Sequence, residues 1–313
     1  TEIYTLSLHD ALPIYLRAAH RVGAHPLVTG TTLAPPGKGR GLSDVWRNSY
    51  LLRLIVRKEV QVRYRGSVLG IVWSYIKPAI QFVVFYIAMG VFLGLNKGMP
   101  NYAVYLFSGI VVMNFFNEAF GNAARSIVGN GQLIKKIYLP RELFPVSSLW
   151  VAIVHFVPQL VVLLIACFVV GWRPGPLNLL SIASGFVIIA LFSVGLGLLF
   201  TTANVFFRDA ENIVDLIAMV ATWASPVLYV WTMVRDVSPA WAMNLYLANP
   251  LTVAVELFHY GFWAPTTDDL GAWHVPPHLF SVWTPVALAL SVLLVLVGDA
   301  IFRRHEGHFA QEL

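Results

Sequence analysis

The chain has 313 residues, of which 58% are hydrophobic and 12% charged, and its mean hydropathy is +0.69. These values lie outside the range of soluble domains and leave no segment large enough for a soluble catalytic domain. The formal net charge of +5 is then a matter of membrane topology, because no segment builds the folded basic surface that nucleic-acid binding needs.

Residues 1–42 read as a disordered cytoplasmic tail, rich beyond Ile14 in Gly, Pro, Thr and Ala. Residues 1–14, TEIYTLSLHDALPI, resemble a translated sequencing-library adapter and are expected to be a non-native artefact. Asp10 and Pro13 interrupt this stretch too much for a signal peptide.

Residues 43–66 read as an amphipathic interface helix. Ser43 and Asp44 supply a helix-start signal, and Trp46 and Tyr50 are four apart, as interfacial anchors on one face would be. Lys58 and Arg65 fall on the same arc as Leu51, Leu54, Ile55 and Val62, but long basic side chains can snorkel to lipid headgroups. A plain positive flank to the first span gives the same pattern.

Residues 67–313 carry six apolar stretches near Leu69–Leu95, Tyr102–Ala124, Val146–Val170, Leu179–Asn204, Ile213–Met233 and Ser281–Phe302. Each offers about 20 apolar residues, enough for a helix to cross a hydrocarbon core of about 30 Å. Lipid offers no partner to a free backbone group, so the expected fold class is an all-α integral membrane protein of six transmembrane helices. Basic residues gather before the first span, after the second (Arg125, Lys135, Lys136, Arg141), after the fourth (Arg208) and after the last (Arg303, Arg304). The opposite loops offer Lys97, Arg173 and Arg235, which places both termini in the cytoplasm. The basic side also favours contact with anionic membrane lipids.

Between the second and third spans, Gly129 and Gly131 interrupt the preceding helix, and Pro140 and Pro145 bracket a short element near 131–139. Two helical turns there would show Leu133, Ile134 and Ile137 on one side and Lys135 and Lys136 on the other. That pattern suits docking to another protein, and it suits an ordinary connecting loop equally well. Between the fifth and sixth spans, Asn249–Pro250 divides the apolar segment 238–263 into pieces too short to cross. It reads as a re-entrant helical hairpin at the outer mouth, with Glu256, His259 and Tyr260 as its polar content. Lys77, Glu118, Asp215 and Asp299 lie within or against spans, Glu118 deepest. Cys167 is the single cysteine and lies inside a span, which excludes an intrachain disulfide. His274 and His278 have ligand-like spacing, but Pro276 and Pro277 stand between them, and no metal site is assigned.

Four runs carry a family resemblance: VRYRGSVLGIVWSYIKPAI (62–80), LIKKIYLPRELFPVS (133–147), NVFFRDAENIVDLIAMVATWASPVLY (204–229) and NPLTVAVELFHYGFW (249–263). In order and spacing they resemble ABC-2 permeases that export O-antigen, teichoic acid and capsule-type polysaccharides, from about Ser43 to the C-terminus. The whole-chain pattern, including GHFAQEL (307–313), is similar to the branch exporting lipid-linked galactan. The resemblance implies a non-enzymatic transport subunit in the bacterial plasma (inner) membrane. It also implies a homodimer with two separate ABC ATPase subunits. No cofactor would be bound by this chain, ATP and Mg residing in the partner. Gly37-Lys38-Gly39-Arg40 agrees by omission, since it does not supply a phosphate-cradling G-x-x-x-x-G-K-[ST] loop.

By the same resemblance, Leu133, Ile134, Lys135, Lys136, Ile137 and Tyr138 would receive the ATPase stroke. Asn249, Pro250 and Glu256 would belong to an outer gate. The implied cargo is a polyprenyl-pyrophosphate-linked polysaccharide, for whose pyrophosphate Arg57, Arg63 and Arg65 are reasonable first contacts. Tyr75, Tyr86, Phe115, Phe116, Trp223 and Tyr229 are the aromatic candidates for a sugar path. The alternatives from other classes are an integral-membrane transferase on lipid-linked glycans and a proton-coupled carrier. A transferase needs converging carboxylates or histidines, and Glu118, His155, Asp215, Glu256 and His259 are expected at different depths.

Overall fold

The computed structural model describes residues 41–136, 139–268 and 275–313, among which the regular elements are all helical. The readings of residues 1–40, Ile137, Tyr138 and His274 lie outside the described residues. The expected interface helix is two helices, α1 (Leu42–Arg47) and α2 (Ser49–Tyr64), parted at Asn48, with Arg65 already extended. Leu52 and Ile55 are the buried anchors of α2, which packs on α6 (Leu143–Val169).

Five helical stretches among the described residues are long and apolar enough to cross a membrane: Gly70–Phe92, Tyr102–Gly129, Leu143–Val169, Pro176–Phe206 and Leu279–Glu312. The first combines a 3-10 turn, α3 (Trp73–Phe85) and a π-helical end (Tyr86–Phe92), and only 11% of its apolar window is buried. The second, α4 (Tyr102–Gly129), is 78% buried by the same measure and is therefore the central pole. Around it stand α6 and α7 (Pro176–Phe206), and α12 (Thr284–His305) packs on the far side of α7. The α7–α12 crossing is close because both helices present glycine there. A Cβ on Gly195 would lie 2.8 Å from the Val295 backbone nitrogen, and one on Gly298 would lie 2.8 Å from the Gly195 carbonyl oxygen.

The stretch expected as the fifth span divides. α8 (Ala210–Trp223) has 14 residues and reaches about 21 Å at 1.5 Å per residue, short of a bilayer core. Pro226 disfavours helical geometry at Ser225 and has no N–H to donate, so the chain turns and resumes as α9 (Trp231–Val237). Next come α10 (Ala240–Ala248) and α11 (Pro250–Phe258), joined at Asn249, whose side-chain oxygen accepts from Leu251 N at 3.1 Å and caps α11. Every residue of α11 is buried, chiefly against α7 and α4.

The apolar side chains form two cores. The larger fills the bundle around α4, α6, α7 and α11. The smaller gathers Val45, Leu52 and Ile55 with Ile127, Ile134, Leu143, Phe144, Val205, Phe302 and Phe309, where the basic ends of the spans meet. It includes α5 (Gly131–Lys136) and the closing turn α13 (Phe309–Glu312).

Candidate functional site

One face of α4 is polar for two turns inside a largely apolar helix: Asn114, Asn117, Glu118 and Asn122 recur at helical spacing. That face borders a cleft of about 800 Å³. Its other walls are Arg63 and Tyr64 from the end of α2, Trp73, Ser74, Lys77 and Gln81 from α3, and His155 and Gln159 from α6. Water or a polar ligand can replace the hydrogen bonds that lipid could not, so a polar stripe at this depth is sustained by the cleft itself.

A network across three elements closes one end. Arg63 donates to the Glu118 carboxylate, which also contacts His155 Nδ1. Arg63 Nη1 and His155 Nδ1 lie 2.9 Å apart around the same carboxylate oxygen, which accepts only, so the tautomer that fits the carboxylate carries its proton on Nδ1. Nε2 then accepts from the Tyr64 hydroxyl at 2.9 Å, and that hydroxyl lies 2.5 Å from Ser74 Oγ. The side chains of His155 and Glu118 are 4% and 20% exposed, and that of Arg63 is 38% exposed, so the cation is the solvent-facing member. Behind them Gln159 donates to the His155 carbonyl at 3.0 Å and accepts from Asn114 at 3.1 Å. Lys77 reaches the same cleft and has no ion-pair partner among the described residues. Further along α4, Arg125 donates to Glu211 at 2.5 Å and to Asp215 at 2.6 Å, tying α4 to α8.

An apolar pocket of about 230 Å³ adjoins the cleft and shares Pro78 and Gln159 with it. Phe82, Val104, Phe107 and Val162 are among its walls, and Tyr75 is at its edge.

The expected site residues distribute unevenly. Of the three arginines, Arg63 lines the cleft, whereas Arg57 and Arg65 are exposed away from it. Tyr75 borders the apolar pocket, and Tyr86 is half-buried with its ring 6.1 Å from that of Tyr102. Phe115 and Phe116 are buried inside the core, against Phe156 and Phe186 and against Phe120 and Phe192. Trp223 is exposed, and its carbonyl accepts from the Tyr229 hydroxyl at 2.9 Å. These six aromatics do not line a shared wall in this chain. In α5 the apolar side is used internally: Ile134 is buried in the smaller core and Leu133 is partly buried, while Lys135 and Lys136 are exposed. Asn249, Pro250 and the buried Glu256 belong to the α10–α11 segment, whose far end is held by the His259 ring stacked 3.8 Å from Tyr105 and by Trp263 donating to Pro100 O at 2.8 Å. One expectation is corrected outright. Glu118 and His155, read as lying at different depths, are in contact.

Tyr64, Lys77, His155 and the asparagines of α4 escaped the sequence reading as a set. The signal for the asparagines was present as a polar i, i+3, i+4, i+8 pattern within the second span. Their union with α2 and α6 is a tertiary fact.

Span-length apolar helices around a polar cleft define a multi-pass helical membrane protein. The chain belongs to the ABC-2 type transporter family, whose pattern it matches over residues 50–263. It is similar to the O-antigen export system permease protein RfbA of Klebsiella pneumoniae, 30% identical over 271 residues that cover 84% of this chain and 95% of the relative. The protein of the same name in Myxococcus xanthus is 27% identical over 280 residues, covering 88% and 99%. The capsule polysaccharide export inner-membrane protein CtrC of Neisseria meningitidis is 21% identical over 274 residues, covering 84% and 97%.

Proposed function

We propose that this chain is the transmembrane subunit of an ATP-driven exporter that moves a polyprenyl-pyrophosphate-linked polysaccharide, of O-antigen, teichoic acid or galactan type, out of the cytoplasm across the inner membrane. The observation that carries this reading is similarity to named polysaccharide export permeases over 95% and 99% of their lengths. The polar cleft beside an apolar pocket supports it, because an amphipathic cargo needs both surfaces within reach.

In this reading the chain crosses six times. The fifth crossing is the broken pair α8 and α9, and the hairpin α10–α11 enters and leaves from the outer side as a gate. Broken helices at membrane depth are tolerated where protein buries them, and α11 is buried throughout. The termini and the smaller core face the cytoplasm, in keeping with the basic loops. Two copies enclose the path along the sparsely buried first span, and Tyr75, Tyr86, Trp223 and Tyr229 meet the sugar chain there. Two ABC ATPase subunits supply ATP and Mg and dock on the exposed lysine side of α5.

Export by the purified chain reconstituted with its candidate ATPase tests the reading. Vanadate-sensitive transfer of lipid-linked glycan, and its accumulation in depleted cells, are expected. Transport that persists without any ATPase would replace it with a proton-coupled carrier, and glycan transfer without translocation would replace it with a membrane transferase.

A further inference from the structure

We infer that the cleft is a diphosphate–sugar site whose internal anion, Glu118, holds Arg63 until the diphosphate of a lipid-linked glycan takes its place. The inference rests on the export reading above and assigns that cargo a particular seat. Three observations carry it. Arg63 and Lys77 converge on one cleft from different elements, α2 and α3, and Lys77 has no ion-pair partner among the described residues. A diphosphate that links a lipid to a sugar carries one negative charge on each phosphorus, so the two cations match it.

Secondly, Glu118 has a second partner. When Arg63 leaves, the carboxylate keeps the His155 Nδ1 contact, and Tyr64 and Ser74 hold that ring in place. The exchange therefore does not strand a bare carboxylate at membrane depth. Arg63 is the most exposed member of the network and sits in the last turn of α2, next to the extended Arg65, where a small movement frees it.

Thirdly, the neighbouring surfaces differ in polarity in the order this ligand requires. The apolar pocket meets the cleft at Pro78 and Gln159, which suits the first isoprene units of a lipid, whereas a free diphosphate has no use for it. Along the α4 side of the cleft, Asn114, Asn117 and Asn122 offer amide groups to sugar hydroxyls.

The test uses the full chain with its ATPase partner in nanodiscs, and calorimetric binding of farnesyl-diphosphate-linked N-acetylglucosamine. Inorganic pyrophosphate and the corresponding farnesyl monophosphate sugar serve as comparison probes. R63Q and K77Q should each weaken binding of the diphosphate lipid about tenfold, the size of one charge-assisted contact. E118Q should tighten it about two- to fivefold, because the competing partially exposed ion pair is gone. That sign is the decisive readout, since a carboxylate serving as a sugar contact or as a mere brace gives weaker binding on removal. K77Q changes an exposed side chain and keeps the test decisive if E118Q unfolds. If inorganic pyrophosphate binds as tightly as the lipid, the lipid-linked assignment is overturned. If the wild-type assembly exports glycan but its affinity ignores all three substitutions, this site is wrong and the permease reading stands. If the wild-type assembly neither exports nor binds, the permease reading itself fails.

Discussion

Replacing Phe309 by alanine should detach the C-terminal turn and loosen α5, the segment proposed to meet the ATPase. Phe309 is fully buried although it lies four residues from the last residue of the sequence given. Its ring centre is 5.2 Å from that of Phe302 and 6.1 Å from that of Phe206, and the Arg141 guanidinium carbon lies 5.9 Å from its centroid. Truncating a phenylalanine in such a core costs about 3–5 kcal/mol. The loss falls on a short segment, so it should appear as local opening of 306–313 before the bundle is affected. Leu313 stands over α5, 3.6 Å from where a Cβ on Gly131 would be, so α5 loses its cover when the turn leaves. Hydrogen exchange with mass spectrometry should show protection falling by about two orders of magnitude at 309–313, the equivalent of roughly 3 kcal/mol. Protection should fall by a smaller factor at 131–136. In the reconstituted exporter, ATP hydrolysed per glycan exported should rise. Unchanged exchange at 131–136 in Phe309→Ala would refute the reasoning, because α5 would then be held without the C-terminal turn.

Three further sets of substitutions test the α7–α12 crossing, the docking face of α5 and the cap of α11. Gly195→Ala should destabilise the chain by about 1–3 kcal/mol, since its Cβ would overlap α12 backbone, whereas Gly129→Ala meets nothing within 4 Å and should leave the melting temperature unchanged. Equal melting temperatures would mean that the α7–α12 crossing is looser than described. Lys135→Glu with Lys136→Glu should weaken co-purification of the ATPase at unchanged thermal stability, while Ile134→Asp should lower stability, because Ile134 is buried in the smaller core. The opposite pattern would place the docking face on the apolar side of α5. Asn249→Ala removes the cap of α11 and should cost about 1 kcal/mol, read as faster exchange at Leu251; no change there would show that buried packing alone sets the start of α11.

The sequence made the spans legible wherever some twenty apolar residues run without a helix breaker, as at 102–124 and 146–170, because lipid admits no other backbone arrangement. At Ile213–Met233 hydropathy, high through Ser225-Pro226, hid a break where the backbone cannot stay helical. It also missed the break at Asn48, a single polar residue between two stretches of similar pattern. The helix break at Asn249–Pro250 was legible because Asn caps a helix and Pro fits its first turn, a local signal that survives burial. The cleft was legible only in pieces. Arg63, Glu118 and Lys77 each stood out as charges near or inside spans, but the Arg63–Glu118 and Arg63–His155 contacts bridge 55 and 92 positions of the chain. No periodicity spans such distances, and the burial of Ile134 by residues from the far end of the chain is unreadable for the same reason.

The two cores bear on how the cleft and α5 would communicate. α4, α6 and α2 each reach both regions, and α2 is the one that carries the cleft arginine. Leu52 and Ile55 fix its body in the smaller core with Ile134, and Arg63 and Tyr64 fix its end to the cleft. The helix has 16 residues, about 24 Å at 1.5 Å per residue, and its hydrogen-bonded backbone is stiff on that scale. A shift of α5 that repacks Ile134 disturbs the core it shares with Leu52 and Ile55, and the stiff helix carries that movement to Arg63. There the opposing contact is an ion pair whose arginine is 38% and carboxylate 20% exposed, worth about 1 kcal/mol where solvent screens it. That is small beside the several kcal/mol held in the buried side chains of the core. The weakest joint along this route is thus the Arg63–Glu118 contact, and it is the joint that has to open for a diphosphate to bind.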